Sequence, residues 1–447
     1  MRFAARIPAR RLHRRFLQTR RCRAIATVIR DNLANDKGEE MNYVLNLREV
    51  TYALSEALDY VGIDDTMHGK RVAFMAAEIG KRLGWPAERI NDLIVAGMMH
   101  DCGVSSTDVH DHLVSELDWD NSQAHCIRGS ALLEKVGIYR DYAQAIFYHH
   151  THWDEMPPTL DAVTMENANL IYLVDRVDAL RVQIGDADAH QRAQIGDMIR
   201  KYAGKMFSPE LVDAYTFCAQ ADSFWFYLES EALSGYLHEW LEKGSSEEVP
   251  FESIKAVAMM FADVVDAKST FTTEHSYGVA SLGRYIAHGL ELGREIEERV
   301  ELAALLHDLG KLRVADAILN KQGPLNEDER LKMNRHGFDS HMILRKIKGM
   351  HDIARIASLH HEYLNASGYP YHLSAGEIPL EARVLAVADI FQALIQDRPY
   401  RRGLDAEGAL EILRQMVGDG RLDPRIVAFV EADLPRCYEH AKKGIEL

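Results

Sequence analysis

The chain has 447 residues, more than one ordinary core accommodates, so two or three domains are expected. Its balance of 47% apolar and 27% charged residues excludes disorder or collagen for the bulk of the chain, and no run approaches the ~18 unbroken apolar residues of a membrane span. A net charge of −16 argues against binding to nucleic-acid polymers, and five cysteines without a CxxC spacing point to reduced thiols in the cytoplasm.

Residues 1–30 are a different material, with ten arginines and no Asp or Glu. Arg20-Arg21 offers a twin arginine, but no apolar stretch with a small-residue cleavage site follows. Lys37-Gly38-Glu39-Glu40 precedes Met41, and codons for these residues can spell a ribosome-binding site. Residues 1–41 are therefore expected to be a basic disordered tail or a segment upstream of the true start.

From Asn42 onward the periodicity is helical, with apolar residues recurring at three and four over 44–61, 72–83 and 90–99. Strand-like alternation is scarce, and the fold class expected is all-α. The histidines give the organisation. His68 stands 32 residues before His100-Asp101, His125 stands 24 before the pair His149-His150, and Asp175 follows. Lys243-Gly-Ser-Ser-Glu-Glu reads as a linker. The series then returns: His275 stands 32 before His307-Asp308, His336 stands 24 before His360-His361, and Asp389 follows. Phe207-Ser-Pro closes the first series and Leu422-Asp-Pro the second. Offsets between copies grow only from 207 to 215. A single long-period duplication means two homologous helical domains, expected at 42–243 and 250–447, not a solenoid.

Imidazole and carboxylate donors together suit Fe, Mn or Zn better than Ca or Mg. Adjacent donors on a helix diverge by about 100°, so a pair such as His307-Asp308 can serve two neighbouring metals, with a carboxylate bridging them. Two metals ~3.5–4 Å apart can activate water and clamp a phosphoryl group. The metal set of the second copy is then His275, His307, Asp308, His336, His360, His361 and Asp389. That of the first is His68, His100, Asp101, His125, His149, His150 and Asp175.

The second copy resembles the HD-GYP family, a branch of the HD metal-dependent phosphohydrolases. The likeness rests on His307-Asp308-Leu309-Gly310-Lys311, His360-His361-Glu362, Gly368-Tyr369-Pro370, Val387-Ala388-Asp389 and Asp397-Arg398-Pro399-Tyr400-Arg401, and runs from about Val257 to Val430. It implies an all-helical fold, two or three divalent metals per site (Fe or Mn, with Zn or Ni as alternatives), and hydrolysis of cyclic di-GMP to pGpG or GMP. Asp308 is then the bridging ligand. Lys311, one turn after His307, neutralises charge on the scissile phosphate. Arg398 and Arg401 are candidates for the distal phosphate. Gly368, Tyr369 and Pro370 shape the loop beside the site. Three-metal members carry a Glu where Phe271 stands, with Glu274 displaced, which favours two metals here. Asn365-Ala366 replaces an Asp-Gly pair, and Gln392 a common Asp.

The first copy keeps its donors but not the chemistry around them. Val104 stands where the second copy has Lys311, and neither Gly-Tyr-Pro nor Arg-Pro-Tyr-Arg follows. Asp64, four residues before His68, is a candidate third-metal ligand or a helix N-terminal carboxylate. Cys102 and Cys126 adjoin proposed ligands, as small buried thiols or as redox or metal sensors. The first copy is expected to be a regulatory metal-bearing domain, with hydrolysis of a different phosphoester or a metal-free scaffold as the alternatives. A rival reading makes the protein a non-catalytic cyclic-dinucleotide effector with a protein partner, and another makes it a phosphohydrolase of a different nucleotide. A homodimer is left open.

Overall fold

The computed structural model describes residues 42–62, 67–119, 121–268, 275–397 and 402–442. Asp64, Phe271, Glu274, Arg398, Arg401 and the basic segment 1–41 lie outside them. Among the described residues the chain is helical apart from one two-stranded sheet, as the periodicity predicts. No described helix is long and apolar enough to cross a membrane.

The first copy opens with β1 (Asn42–Leu45) and runs through α1 (Leu47–Asp59), α2 (His68–Arg82), α3 (Ala87–Met99), α4 (Thr107–Ser115), α5 (Gln123–Glu134), α6 (Ala143–Tyr148), α7 (Ala162–Ile184), α8 (Ala189–Lys201), α9 (Pro209–Cys218), α10 (Asp222–Phe226) and α11 (Ser230–Glu242). Next comes β2 (Glu247–Pro250). The second copy follows with α12 (Phe251–Lys268), α13 (His275–Gly289), α14 (Arg294–Leu306), α15 (Asp316–Leu319), α16 (Glu327–Asn334), α17 (His336–Leu344), α18 (His351–Ser358), α19 (Leu380–Ile395), α20 (Ala406–Gly418), α21 (Pro424–Ala432) and α22 (Leu434–Lys442). Element order repeats as the histidines do. In both copies the first histidine opens a helix, the second closes the next one, and the final Asp lies inside a long helix.

The sheet departs from the helix expected over 44–61. Tyr43 and Leu45 are buried while Val44 is exposed, a period-two pattern, and Asn46 then caps α1 by accepting from Arg48 N. β1 pairs antiparallel with β2, Tyr43 opposite Val249, so the expected linker ends in a strand.

By internal contacts the described chain divides into two compact units. One comprises Asn42–Ser276 with Leu305–Ser358, and the other Tyr277–Ala304 with 359–442. These units and the sequence repeat cut the chain at different places. In the larger unit, α2 packs along α3 and α7 through an apolar core that includes Val72, Phe74, Leu93 and Leu173. Polar links join the first copy to parts of the second: Lys348 Nζ lies 3.0 Å from Glu49, Asp316 accepts from Thr107 N at 2.9 Å, and Arg128 donates to Asp263 O at 3.0 Å.

A buried aspartate pins the first metal-site helix of each copy. Asp59 accepts from Gly69 N at 2.9 Å, and Asp266 accepts from Ser276 Oγ at 3.2 Å. In the first copy Lys70 neutralises the carboxylate at 2.7 Å. The second copy has Tyr277 at the equivalent position, and burial pushes the Asp266 carboxyl up to about 6.

The glycine of each His-Asp-x-Gly turn is required by space. A Cβ on Gly103 would lie 1.9 Å from His125 O, and one on Gly310 would lie 2.1 Å from His336 O. The turn carrying the aspartate thus sits directly on the helix carrying the next histidine. Gly310→Ala should cost at least about 2 kcal/mol, because backbone must move to relieve the contact. Chemical denaturation followed by circular dichroism measures it, with Gly376→Ala, whose Cβ meets nothing, as the neutral control.

Candidate metal centres

The first set converges completely within the larger unit. His68 opens α2, His100 closes α3, Asp101 begins the following turn, His125 sits in α5, His149 and His150 follow α6, and Asp175 lies within α7. Asp101 organises them. Its Oδ2 lies 3.2 Å from His100 Nε2 and 3.6 Å from His68 Nε2, while its Oδ1 lies 3.6 Å from His125 Nε2. His125 Nε2 and His149 Nε2 are 3.1 Å apart. Asp175 faces His68 Nε2 at 3.3 Å with one oxygen and His150 Nε2 at 3.5 Å with the other. Two donor groups result, His68/His100/Asp101 and His125/Cys126/His149.

The rings are aimed by their other nitrogens. Nδ1 of His100 donates to Gly97 O at 2.8 Å, and Nδ1 of His149 donates to Ile146 O at 2.5 Å. Each Nε2 is left with its lone pair facing the site. His68 Nδ1 is bound instead by Asp178 at 2.8 Å, and Asp178 is held by Arg71 at 2.7 Å.

The electrostatics favour cations. Burial works against ionised Asp101, yet the imidazoles of His100, His125 and His68 hold its carboxyl well below the usual range. Asp175 is likewise depressed against its burial, chiefly by Arg176 and His68. Burial lowers His125 to about 4 and His149 to about 3, so both are neutral near pH 7. His100 Nε2 is fully buried and makes no hydrogen bond among the described residues, which a metal would remedy. Against the lowering effect of burial, Asp175 and Asp178 raise His68 and Asp101 raises His100. Neutral His125 and His149 beside these carboxylates fit a divalent metal ion.

In the second copy, the part lying in the larger unit repeats this geometry. Asp308 Oδ2 lies 3.3 Å from His307 Nε2 and 3.8 Å from His275 Nε2, and Oδ1 lies 3.5 Å from His336 Nε2. His336 Nδ1 donates to Met333 O at 2.6 Å, again aiming Nε2 inward. Lys311 Nζ lies 2.5 Å from Asp308 Oδ2, whereas Val104 is buried at the equivalent place in the first copy. Asp308 is held well below the usual carboxylate range by His307 and Lys311 despite its burial.

His360, His361 and Asp389 belong to the other compact unit. There His361 Nδ1 lies 4.0 Å from Asp389 Oδ2, and the His361 and Tyr369 rings are 4.7 Å apart. Glu362 is buried and holds the following loop, accepting from Tyr371 N at 2.6 Å and Leu373 N at 2.9 Å. Gly368 has no left-handed backbone; it is needed because a Cβ would lie 2.4 Å from His361 O and Tyr363 N. Asn365 keeps the turn that an Asp would make, accepting from Ser367 N at 3.1 Å, and Ala366 takes the left-handed conformation with φ 61°.

Residues 259–426 match one HD domain family and residues 67–180 match another. A protein of Vibrio cholerae serotype O1 named 3'3'-cGAMP-specific phosphodiesterase 1 is 36% identical over 412 residues, covering 90% of this chain and 95% of that protein. The chain belongs to the HD-GYP family. It carries two HD domains and is a metal-dependent phosphohydrolase. A Pseudomonas aeruginosa protein named as a cyclic di-GMP phosphodiesterase is 36% identical over 166 residues, 36% of this chain and 39% of that one. The crystal structure of a cyclic GMP-AMP specific phosphodiesterase of V. cholerae shares the fold, with a TM-score of 0.59 at 22% identity over 89% of this chain and 98% of that one.

Sequence reasoning missed Asp178, Arg71 and Arg176. The signal was present: Asp178 is three residues after Asp175 and Arg71 three after His68, each on its partner's helical face. Gln392 is the second copy's equivalent of Asp178. Asp178→Asn should lower metal affinity of the first set about 10–100-fold, because His68 loses its anionic partner. Equilibrium dialysis against manganese measures this, and an unchanged affinity would show that the Asp178 carboxylate does not support the ligand.

Proposed function

We propose that the C-terminal HD domain is a phosphodiesterase that opens a 3',3'-cyclic dinucleotide, and that the N-terminal HD domain is its regulatory, metal-bearing copy. The observation that carries the reading is the Asp308 carboxylate. Its oxygens are divided between His275/His307 and His336, with the Lys311 ammonium beside it. We assign His275, His307, Asp308 and His336 as metal ligands in the larger unit and His360, His361 and Asp389 as metal-ligand candidates in the other, two ions being favoured, with iron or manganese suiting the donors. Bound ions of this kind supply an activated water and neutralise phosphoryl oxygens. The chain's own contribution is to orient the imidazoles through Nδ1 contacts, keep the site buried, and present Lys311 to charge that grows on the phosphate in the transition state. Gly368, Tyr369 and Pro370, in a loop braced by Glu362, remain our candidates for nucleotide binding. Arg398 and Arg401 remain our candidates for the distal phosphate.

The substrate is narrowed by which relatives extend over both domains. Likeness to the protein named for 3'3'-cGAMP spans nearly the whole chain, while the relative named for cyclic di-GMP aligns over about a third of it. This favours a mixed guanine–adenine ring over the cyclic di-GMP expected from the motifs. Retention of the turn by Asn365 removes one of the two motives for the effector reading, the other being the altered first domain. The four described cysteines form no disulfide, in keeping with a cytoplasmic setting. For the first domain, a full donor set without Lys311 or the Gly-Tyr-Pro loop supports metal retention without turnover of the cyclic substrate.

Protein reconstituted anaerobically with iron or manganese should linearise 3',3'-cGAMP, with cyclic di-GMP as the competing substrate and products separated by chromatography. Replacing both His307 and Asp308 with Ala should reduce turnover to background. Lys311→Ala should lower kcat by about 10²–10³-fold with bound metal unchanged. Full turnover in the double variant would contradict the assignment to the C-terminal domain.

A further inference from the structure

Cys126 stands inside the first donor set and not beside it. Its Sγ lies 3.7 Å from His125 Nε2 and 4.0 Å from His149 Nε2, and those two nitrogens are 3.1 Å apart. A tetrahedral ion bound at ~2.1 Å by nitrogen and ~2.3 Å by sulfur requires N–N separations of roughly 3.4 Å and N–S separations of roughly 3.6 Å. The observed triangle has that shape, with the sulfur edges longer than the nitrogen edge. Asp101 Oδ1, 3.6 Å from His125 Nε2, is the nearby carboxylate oxygen that could serve as a fourth donor. The thiol also donates to Ser122 O at 3.5 Å, a hydrogen bond that is given up when the sulfur binds a metal as thiolate.

The internal repeat gives a control within the chain. Cys126 follows His125, whereas Gly337 follows His336, so no thiol exists at the equivalent place in the second copy. The chain's other thiol next to a ligand, Cys102, points elsewhere, with Sγ 3.7 Å from Gly129 O.

We propose that Cys126 is a metal ligand of the N-terminal domain, completing a His125–His149–Cys126–Asp101 site that takes a thiophilic divalent ion, zinc in preference to manganese. The assignment rests on the reading that the first domain holds metal. Forming the metal–sulfur bond displaces the Sγ–H proton to solvent, and the sulfur binds as thiolate. A soft anionic donor shifts preference towards zinc. Four protein donors also close the coordination sphere, which suits a structural or regulatory ion. The two domains would then carry different metals.

Cobalt(II) reports the difference optically. The full chain carrying His307→Ala and Asp308→Ala is loaded with cobalt, so that retained ion belongs to the first set. It should show the visible bands of tetrahedral cobalt and a near-ultraviolet thiolate-to-cobalt charge-transfer band. Adding Cys126→Ser should abolish the near-ultraviolet band, while Cys102→Ser should leave it intact. Retained cobalt with no such band, or a band that survives Cys126→Ser, overturns the thiolate assignment and leaves the first domain a metal site. Failure to retain cobalt in the parent overturns both.

Discussion

Each half of the molecule depends on one carboxylate shared between two groups of imidazoles. Asp308 is taken out of water and Asp101 partly so, and for an unpaired buried charge the cost is several kcal/mol. Each is tolerable only because imidazole nitrogens, and for Asp308 also Lys311, surround it. A cation between the carboxylate and the imidazoles would compensate more fully. The surrounding architecture serves that placement. A glycine two residues after each aspartate brings the next histidine's helix into backbone contact, and Nδ1 contacts to carbonyls or to Asp178 fix the rings.

Duplication lets the two domains be compared as an internal experiment. The shared carboxylate and the first three histidines keep similar distances in both. What differs is the neighbouring cation and the donor softness. Lys311 gives way to Val104, and Gly337 to Cys126. A site without the ammonium that pairs with Asp308, and with a thiol added, would lack a cation for transition-state charge and hold a further donor for a metal. Arg176 supports this division: it is fully buried, and its guanidinium is spent on Asp175 at 2.7 Å and on Glu116 O.

The helical class, the duplication and the donor residues were legible in the sequence, because periodicity and spacing carry them directly. The pairing of β1 with β2 was not. It joins segments some two hundred residues apart, and four residues are too few to show alternation inside a helical stretch. Asp178 escaped notice although it sits one helical turn from Asp175, since a carboxylate that orients a ligand through Nδ1 has the same sequence signature as a surface residue. The need for Gly368 was legible but its reason was not, because close approach to His361 O is a tertiary fact.

The central claim is that Asp308 bridges two metal ions. Crystals of the full chain grown with manganese and measured for anomalous scattering test it most directly. The account predicts two anomalous peaks about 3.5–4 Å apart, one beside Asp308 Oδ2, His275 and His307, and the other beside Asp308 Oδ1 and His336. A map without density there, with Lys311 still paired to Asp308, would contradict it.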